Sequence, residues 1–207
     1  MALIMYLTRA PKYENVSMED IKTMESYFAW QREKDIGGRY ACNTFEEWCG
    51  KSESCLPNSD VINYYKDFYK KNEIYVEGIG KAEGYGLTEQ VARFVKMNQV
   101  YQWFIDNVTN KNIDKEFYEV TEEQINNLLD SCKKIKDCII VHNEEEYDID
   151  ENVAKANMPI MEQRGFFFGP KDYNNLYAYQ IIQAYDEVKN IVNTTDFSKQ
   201  TIYFNAI

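Results

Sequence analysis

The predicted fold rests on the stretch RGFFFGP at residues 164–170. Its three consecutive phenylalanines are bounded by glycine on both sides and followed by proline, which leaves too few residues for a helix. Aromatic residues are enriched in strands, so this run predicts a buried strand. Because side chains alternate along a strand, Phe166 and Phe168 face one side and Phe167 faces the other, and both sides need cover.

Strands near the two ends of the chain complete a sheet in this prediction. Residues 1–9 are hydrophobic, and Pro11 closes the run because proline cannot continue to donate to a ladder. Residues 201–204 combine β-branched and aromatic side chains, as strands do. Placed beside the strand at 166–168, these runs predict a small antiparallel sheet.

Several amphipathic helices are predicted to cover this sheet. Ser17 caps the first helix, and an aromatic helix follows over residues 58–71. A long helix is predicted over residues 88–108, with apolar side chains on one face. The expected fold class is therefore α+β.

The second half of the chain carries the clearest helix signals. Thr121 and Gln124 form a capping-box pattern, and Asp172 is predicted to cap the last helix. Residues 139–141 either extend the helix that begins at Thr121 or form a short strand, because periodicity cannot decide over three residues.

Composition limits the function classes. The chain has 207 residues, enough for one domain with a full core, and a formal net charge of −11. Binding nucleic acid by its phosphates requires clustered Lys and Arg, so direct nucleic-acid binding is not expected. An acidic surface favours a basic partner, although the charge can also serve solubility alone. A homodimer is compatible with this composition.

Two further features predict a cytoplasmic protein. No window of about 18 apolar residues exists, so no membrane-spanning helix is expected. Five cysteines without a C-x-x-C pair indicate reduced thiols rather than a disulfide framework or a zinc site.

The densest charge lies at residues 144–151, with six acids in eight positions and no base. Such density cannot be buried, so it predicts a solvated loop. The loop could imitate a row of phosphates and occupy a cationic groove of another protein. The predicted partner-binding residues are Glu144, Glu145, Glu146, Asp148, Asp150 and Glu151.

A glycine-rich loop at residues 78–86 offers an alternative, a nucleotide or small-molecule site. A strand, a glycine loop and a helix in this order can cradle phosphate. However, Tyr75 and Glu83 stand where Walker A and dinucleotide fingerprints need glycine. Asn98 lies within an apolar stripe and must find polar partners if it is buried. This alternative site comprises Gly78, Gly80, Lys81, Gly84, Asn98 and Arg164.

Catalytic signals are weak. His142, the only histidine, has no nucleophile placed near it by a motif, and with Cys132 and Cys138 it makes a poor ligand set. A non-enzymatic function without a cofactor or metal is therefore favoured.

Three motifs occur in a recognisable order: Met-Tyr-Leu at residues 5–7, Asn98 followed by Trp-Phe at residues 103–104, and Gly-Phe-Phe-Phe-Gly at residues 165–169. Through these motifs the chain resembles a family of small phage and prophage proteins of unknown biochemical function. The resemblance covers residues 1–8 and 87–190. Tyr101 replaces a histidine that the family often carries before Trp-Phe.

The resemblance implies a single domain over residues 1–207, in which residues 12–86 are a helical insertion on a scaffold formed by 1–11 and 87–207. It also implies a phage-encoded inhibitor of bacterial defence, of which anti-CRISPR proteins are one kind. The expected partner is a host defence effector, such as a CRISPR nuclease complex, in the bacterial cytoplasm.

Overall fold

A computed structural model describes residues 2–12, 17–19, 21–22, 88–143, 146–161 and 168–206. The chain divides into two compact units, one formed by Met1–Lys12 with Glu89–Ile207 and the other by Tyr13–Thr88. The described part of the second unit includes helical residues after Ser17, where the Ile21 amide donates to the Ser17 carbonyl at 3.1 Å. Most of the predicted insertion at 12–86 lies outside the described residues, and its domain assignment stays a prediction.

Strands and helices are interspersed along the described part of the first unit. They are β1 (Ile4–Pro11), β2 (Glu89–Val95), α1 (Asn98–Asn107), β3 (Tyr118–Val120), α2 (Glu122–Lys136), β4 (Ile140–Asn143), β5 (Glu146–Asp148), α3 (Glu151–Asn157), α4 (Asn175–Thr194) and β6 (Gln200–Ala206). No helix in these described ranges is both long and apolar enough to cross a membrane.

A four-stranded antiparallel sheet has the order β2-β1-β6-β3. The prediction of an α+β fold with a small antiparallel sheet that contains the N- and C-terminal strands is confirmed. Met5 and Leu7 of β1 pair with Ala206 and Phe204 of β6 and are fully buried. Phe204 stacks on Phe104 of α1, with ring centroids 4.3 Å apart, so the core lies between this face and the helices.

The predicted long helix over residues 88–108 is wrong in its first half, because residues 89–95 form β2. Ala92 and Phe94 are buried while Arg93 between them is exposed, which is the two-residue period of a strand. Lys96 then has a φ of 55°, which no α-helix allows, and α1 begins only at Asn98. Pairing with β1 outweighed the helical spacing of the apolar residues.

The structure describes only the last residue of the predicted strand at 166–168. Phe166 and Phe167 lie outside the described residues, and Phe168 lies in a turn and takes no part in the described sheets. Gly169 follows with a φ of 128°, and Pro170 accepts a hydrogen bond on its carbonyl from the buried Asn98 side chain at 2.9 Å. The place beside β1 belongs to β2 instead.

The two longest described helices, α2 and α4, pack against each other, and the residue that caps each helix fixes where it begins. Thr121 and Gln124 form the predicted capping box at the start of α2. The last helix begins later than predicted, because the Asn174 side chain, rather than Asp172, accepts from the amides of Leu176 and Tyr177.

Two polar anchors were not predicted from the sequence. The Arg9 guanidinium donates to the carbonyl of Thr194 at 2.8 Å and forms an ion pair with Glu89, which ties β1 to the last turn of α4 and to β2. The buried Tyr177 hydroxyl donates to the Met158 carbonyl at 2.7 Å, and burial raises its pKa. It joins α4 to the end of α3.

Candidate partner-binding surface

The acidic segment builds a hairpin and a helix cap. β4 and β5 pair antiparallel, with Val141 opposite Tyr147 and Ile140 opposite Asp148. This pairing settles residues 140–141 as strand and corrects the predicted loop, since residues 146–148 are β5. Glu146, Asp148, Asp150 and Glu151 are all exposed, as their charge density requires, whereas Glu144 and Glu145 lie outside the described residues.

Two of the acids have local structural roles. The Asp150 carboxylate caps α3 by accepting from the amides of Asn152 and Val153 at 2.8 and 3.3 Å. Glu151 accepts a hydrogen bond from Lys155 at 2.8 Å, and the Lys155 ammonium also lies 5.3 Å from the ring centre of Tyr173. Asp150 and Glu151 are therefore held in place at the start of α3, directly after β5.

His142 bridges the two strands of the hairpin. Its Nε2 lies 2.6 Å from Oδ2 of Asp148. The hydrogen bond with Asp148, the charge of Asp148 and the charge of Glu146 raise the pKa of His142. The charge of the hairpin surface therefore depends on pH near neutrality.

We expect the His142 contact to weaken as pH rises. A folded pKa above the ordinary value of about 6.5 means that the favourable contact is fully present below that value and is lost as pH rises through the raised folded pKa. An NMR titration of the imidazole should show the raised pKa in the native chain. Asp148→Asn should return the pKa toward the ordinary value, and an unchanged pKa in that variant would contradict the pairing.

An open groove of about 650 Å³ lies where the hairpin meets the start of α4. The Tyr147 amide donates to Oδ1 of Asn175 at 3.0 Å, which fixes the outer edge of β5 against α4. The groove combines rings, an aliphatic wall, carboxylates and amides, a mixture typical of sites that hold a cationic side chain. Its lining residues are Tyr147, Asp148, Ile149, Glu151, Tyr173, Asn174, Asn175 and Leu176.

Exposed apolar side chains flank the acids, and sequence reasoning missed them. Ile140 and Val141 of β4 are each 60% exposed, and Leu176 and Tyr179 at the start of α4 are 49% and 55% exposed. Apolar runs usually predict burial, so their sequence gave no signal of exposure. The surface thus joins carboxylates to apolar contact area, which is the make-up of many protein interfaces.

The residues of the alternative ligand site are not brought together in the described structure. Gly78, Gly80, Lys81, Gly84 and Arg164 lie outside the described residues. Asn98 is buried and its Nδ2 donates to Pro170, so the predicted hydrogen-bond role is present. Its Oδ1 has no hydrogen-bond partner in the described part of the chain.

Beside Asn98, buried amides continue the polar contacts. Gln99 donates to Gln180 at 3.0 Å, and Gln180 donates to the Lys96 carbonyl at 3.2 Å. These contacts hold the turn between β2 and α1 against α4.

The described residues contain no group of three or more His, Cys, Asp or Glu side chains that could hold a metal ion. Cys132 and Cys138 are free thiols, and burial raises the pKa of Cys132 to about 12, which suppresses its thiolate form.

Comparison with known proteins adds no relative. No family model matches the chain, and neither the curated proteins nor the solved structures contain a significant match to it.

Proposed function

We propose that this protein is a non-enzymatic inhibitor that binds a basic, nucleic-acid-binding region of a host defence effector. It does so through the acidic hairpin, by which we mean β4, β5 and the adjoining start of α3. The observation that carries the proposal is the grouping of four exposed carboxylates on β5 and the start of α3, next to exposed apolar side chains. The carboxylates are those of Glu146, Asp148, Asp150 and Glu151.

Each part of this surface has a distinct role in binding. Carboxylates on an acidic chain speed the approach to a cationic groove and oppose acidic competitors. The apolar residues supply area that loses water when the partner docks. The groove beside Tyr147 would receive a basic side chain of the effector, between Asp148 and Glu151.

The class of effector comes from the resemblance to phage proteins. A phage gains from blocking a nuclease that would cut its genome, and a CRISPR nuclease complex carries guide and target strands in a positively charged channel. An acidic protein surface can compete there without binding nucleic acid itself.

Neutralising the hairpin should weaken binding to such an effector. In the variant E146Q/D148N/D150N/E151Q, asparagine keeps the cap of α3, so the fold is retained. We expect affinity to fall by roughly tenfold or more at low salt, mainly through the association rate, and its salt dependence to shrink. Surface plasmon resonance at two ionic strengths measures the affinity, the association rate and their salt dependence. A matched variant, E116Q/E119Q/D130N/D186N, neutralises four exposed acids elsewhere and should bind almost as the native chain does.

The partner is sought by capture from lysates of bacteria that carry defined defence systems, followed by an assay of the captured effector. Retention of an effector, with loss of its nucleic-acid binding, supports the proposal. Retention of none across the systems tested would overturn it. So would thermal stabilisation of the native chain by a nucleotide library, since only a bound ligand raises stability by mass action.

A further inference from the structure

The strand β4 exposes apolar side chains on both of its faces. Ile140 and Val141 are adjacent, so they point to opposite sides of the hairpin, yet each is 60% exposed. A two-stranded ribbon is at best marginally stable alone, and a third strand would cover part of both side chains. The first half of β4 therefore has the apolar, β-branched side chains of an inner strand in the position of an outer one.

The two edges of the hairpin differ in what they meet. The edge of β5 meets α4 through the hydrogen bond from the Tyr147 amide to Asn175. In the described part of the chain, Ile140, Val141 and His142 form no backbone hydrogen bond beyond the ladder with β5. An antiparallel strand uses half of its backbone groups for one neighbour, so at Ile140 and Val141, before the register shifts between Val141 and Asn143, the other groups point outward and can receive another strand.

We propose that β4 is a docking strand, to which an extended segment of a protein partner with alternating basic and apolar residues adds as a third strand. Main-chain hydrogen bonds would supply affinity, and the apolar residues of the segment would cover Ile140 or Val141. This inference rests on the proposed function, because it names the binding mode and the chemistry of the partner segment at the same surface.

Charge selects a basic segment over a second copy of this chain. Asp148 faces the same side as Ile140, and a third strand would lie about 10 Å from β5, which is about one Debye length at 0.1 M salt, so the attraction is felt mainly at low ionic strength. The raised pKa of His142 records the negative potential that Asp148 and Glu146 impose on β4. Pairing two copies through β4 would bring their carboxylates together in a chain that already carries a net charge of −11.

The test uses the full chain and a blocked heptapeptide that alternates valine with lysine or arginine. We expect the peptide to shift the amide NMR signals of residues 140–142 and to slow their hydrogen exchange. A peptide N-methylated at alternate residues cannot donate along one edge, and a peptide with glutamate in place of the basic residues lacks the charge. Both should bind at least about tenfold more weakly.

Variants on the protein side give a second, independent readout. Val141→Lys places a charge on the strand as natural edges do, and it should lower affinity roughly tenfold. Ile113→Lys is the control, because Ile113 is 61% exposed in a loop outside the hairpin. If Val141→Lys disturbs the hairpin, the N-methylated peptide still tests strand addition, because it is used with the native chain.

Three outcomes would overturn the inference: no binding up to about 1 mM peptide, equal binding of the N-methylated peptide, or a dimer in sedimentation that Val141→Lys dissociates. The experiments distinguish failure of strand addition from failure of the proposed function. If Val141→Lys leaves effector capture intact while neutralising the acids abolishes it, the acidic hairpin binds its effector without strand addition.

Discussion

Gly169→Ala is expected to lower the free energy of unfolding by about 3 kcal/mol or more, or to prevent folding. A Cβ atom at this position would lie 2.0 Å from the carbonyl oxygen and 2.8 Å from the carbonyl carbon of Lys96. Both are backbone atoms, so no side-chain rotation relieves the clash. The φ of 128° at Gly169 adds strain for any residue that carries a side chain.

Urea denaturation followed by circular dichroism measures this effect. Asn110→Gly is the control, because Asn110 also has a positive φ, of 52°, but is exposed in the turn after α1. Its change should stay within about 0.5 kcal/mol. Stability of Gly169→Ala within the same margin of the native chain would show that the 168–170 segment can move away from Lys96.

Phe204→Ala should lower the free energy of unfolding by about 3 to 5 kcal/mol, because it removes a buried ring that lies beside three other aromatic rings. The side chain is almost fully buried, and its ring lies 4.3 Å from that of Phe104 at an angle of 7°. Tyr101 and Tyr118 lie 6.4 and 6.5 Å from it. The truncation would leave a cavity bordered by three other aromatic residues, which cannot all collapse into it.

A double-mutant cycle with Phe104→Ala isolates the stacking contribution, expected at about 0.5 to 1.5 kcal/mol. Tyr179→Ala serves as the control, because that ring is 55% exposed on α4 and its loss should cost less than about 0.5 kcal/mol. Equal losses for Phe204 and Tyr179 would contradict the placement of Phe204 at the centre of the core.

Features that depend on a few neighbouring residues were predictable from the sequence. Thr121 and Gln124 form their capping box within one turn, and the further hydrogen bond from the Gln124 side-chain amide to the Asn107 carbonyl is not needed to predict it. The exposure of Glu146, Asp148, Asp150 and Glu151 followed from local charge density in the same way. The confirmed α+β class rests on such local signals and on the apolar terminal strands.

Features decided by distant partners were not predictable. The apolar residues of 89–95 match a helix as well as a strand, and only pairing with β1, 80 to 91 positions earlier, decides between them. Apolar side chains are usually buried, and no neighbouring residue marks Ile140 and Val141 as exposed. The partner-binding surface could therefore be predicted in its charge but not in its shape or its apolar part.

The pairing of β1 with β6 has a consequence for how the chain folds during synthesis. Met5 pairs with Ala206, so the two central strands come from opposite ends of the sequence. Residues 200–206 must leave the ribosome before β1 and β6 can pair, and contacts of such long sequence separation form slowly. Until β6 is made, β1 can pair only with β2, and we expect its other, hydrophobic edge to be a binding site for chaperones on the nascent chain.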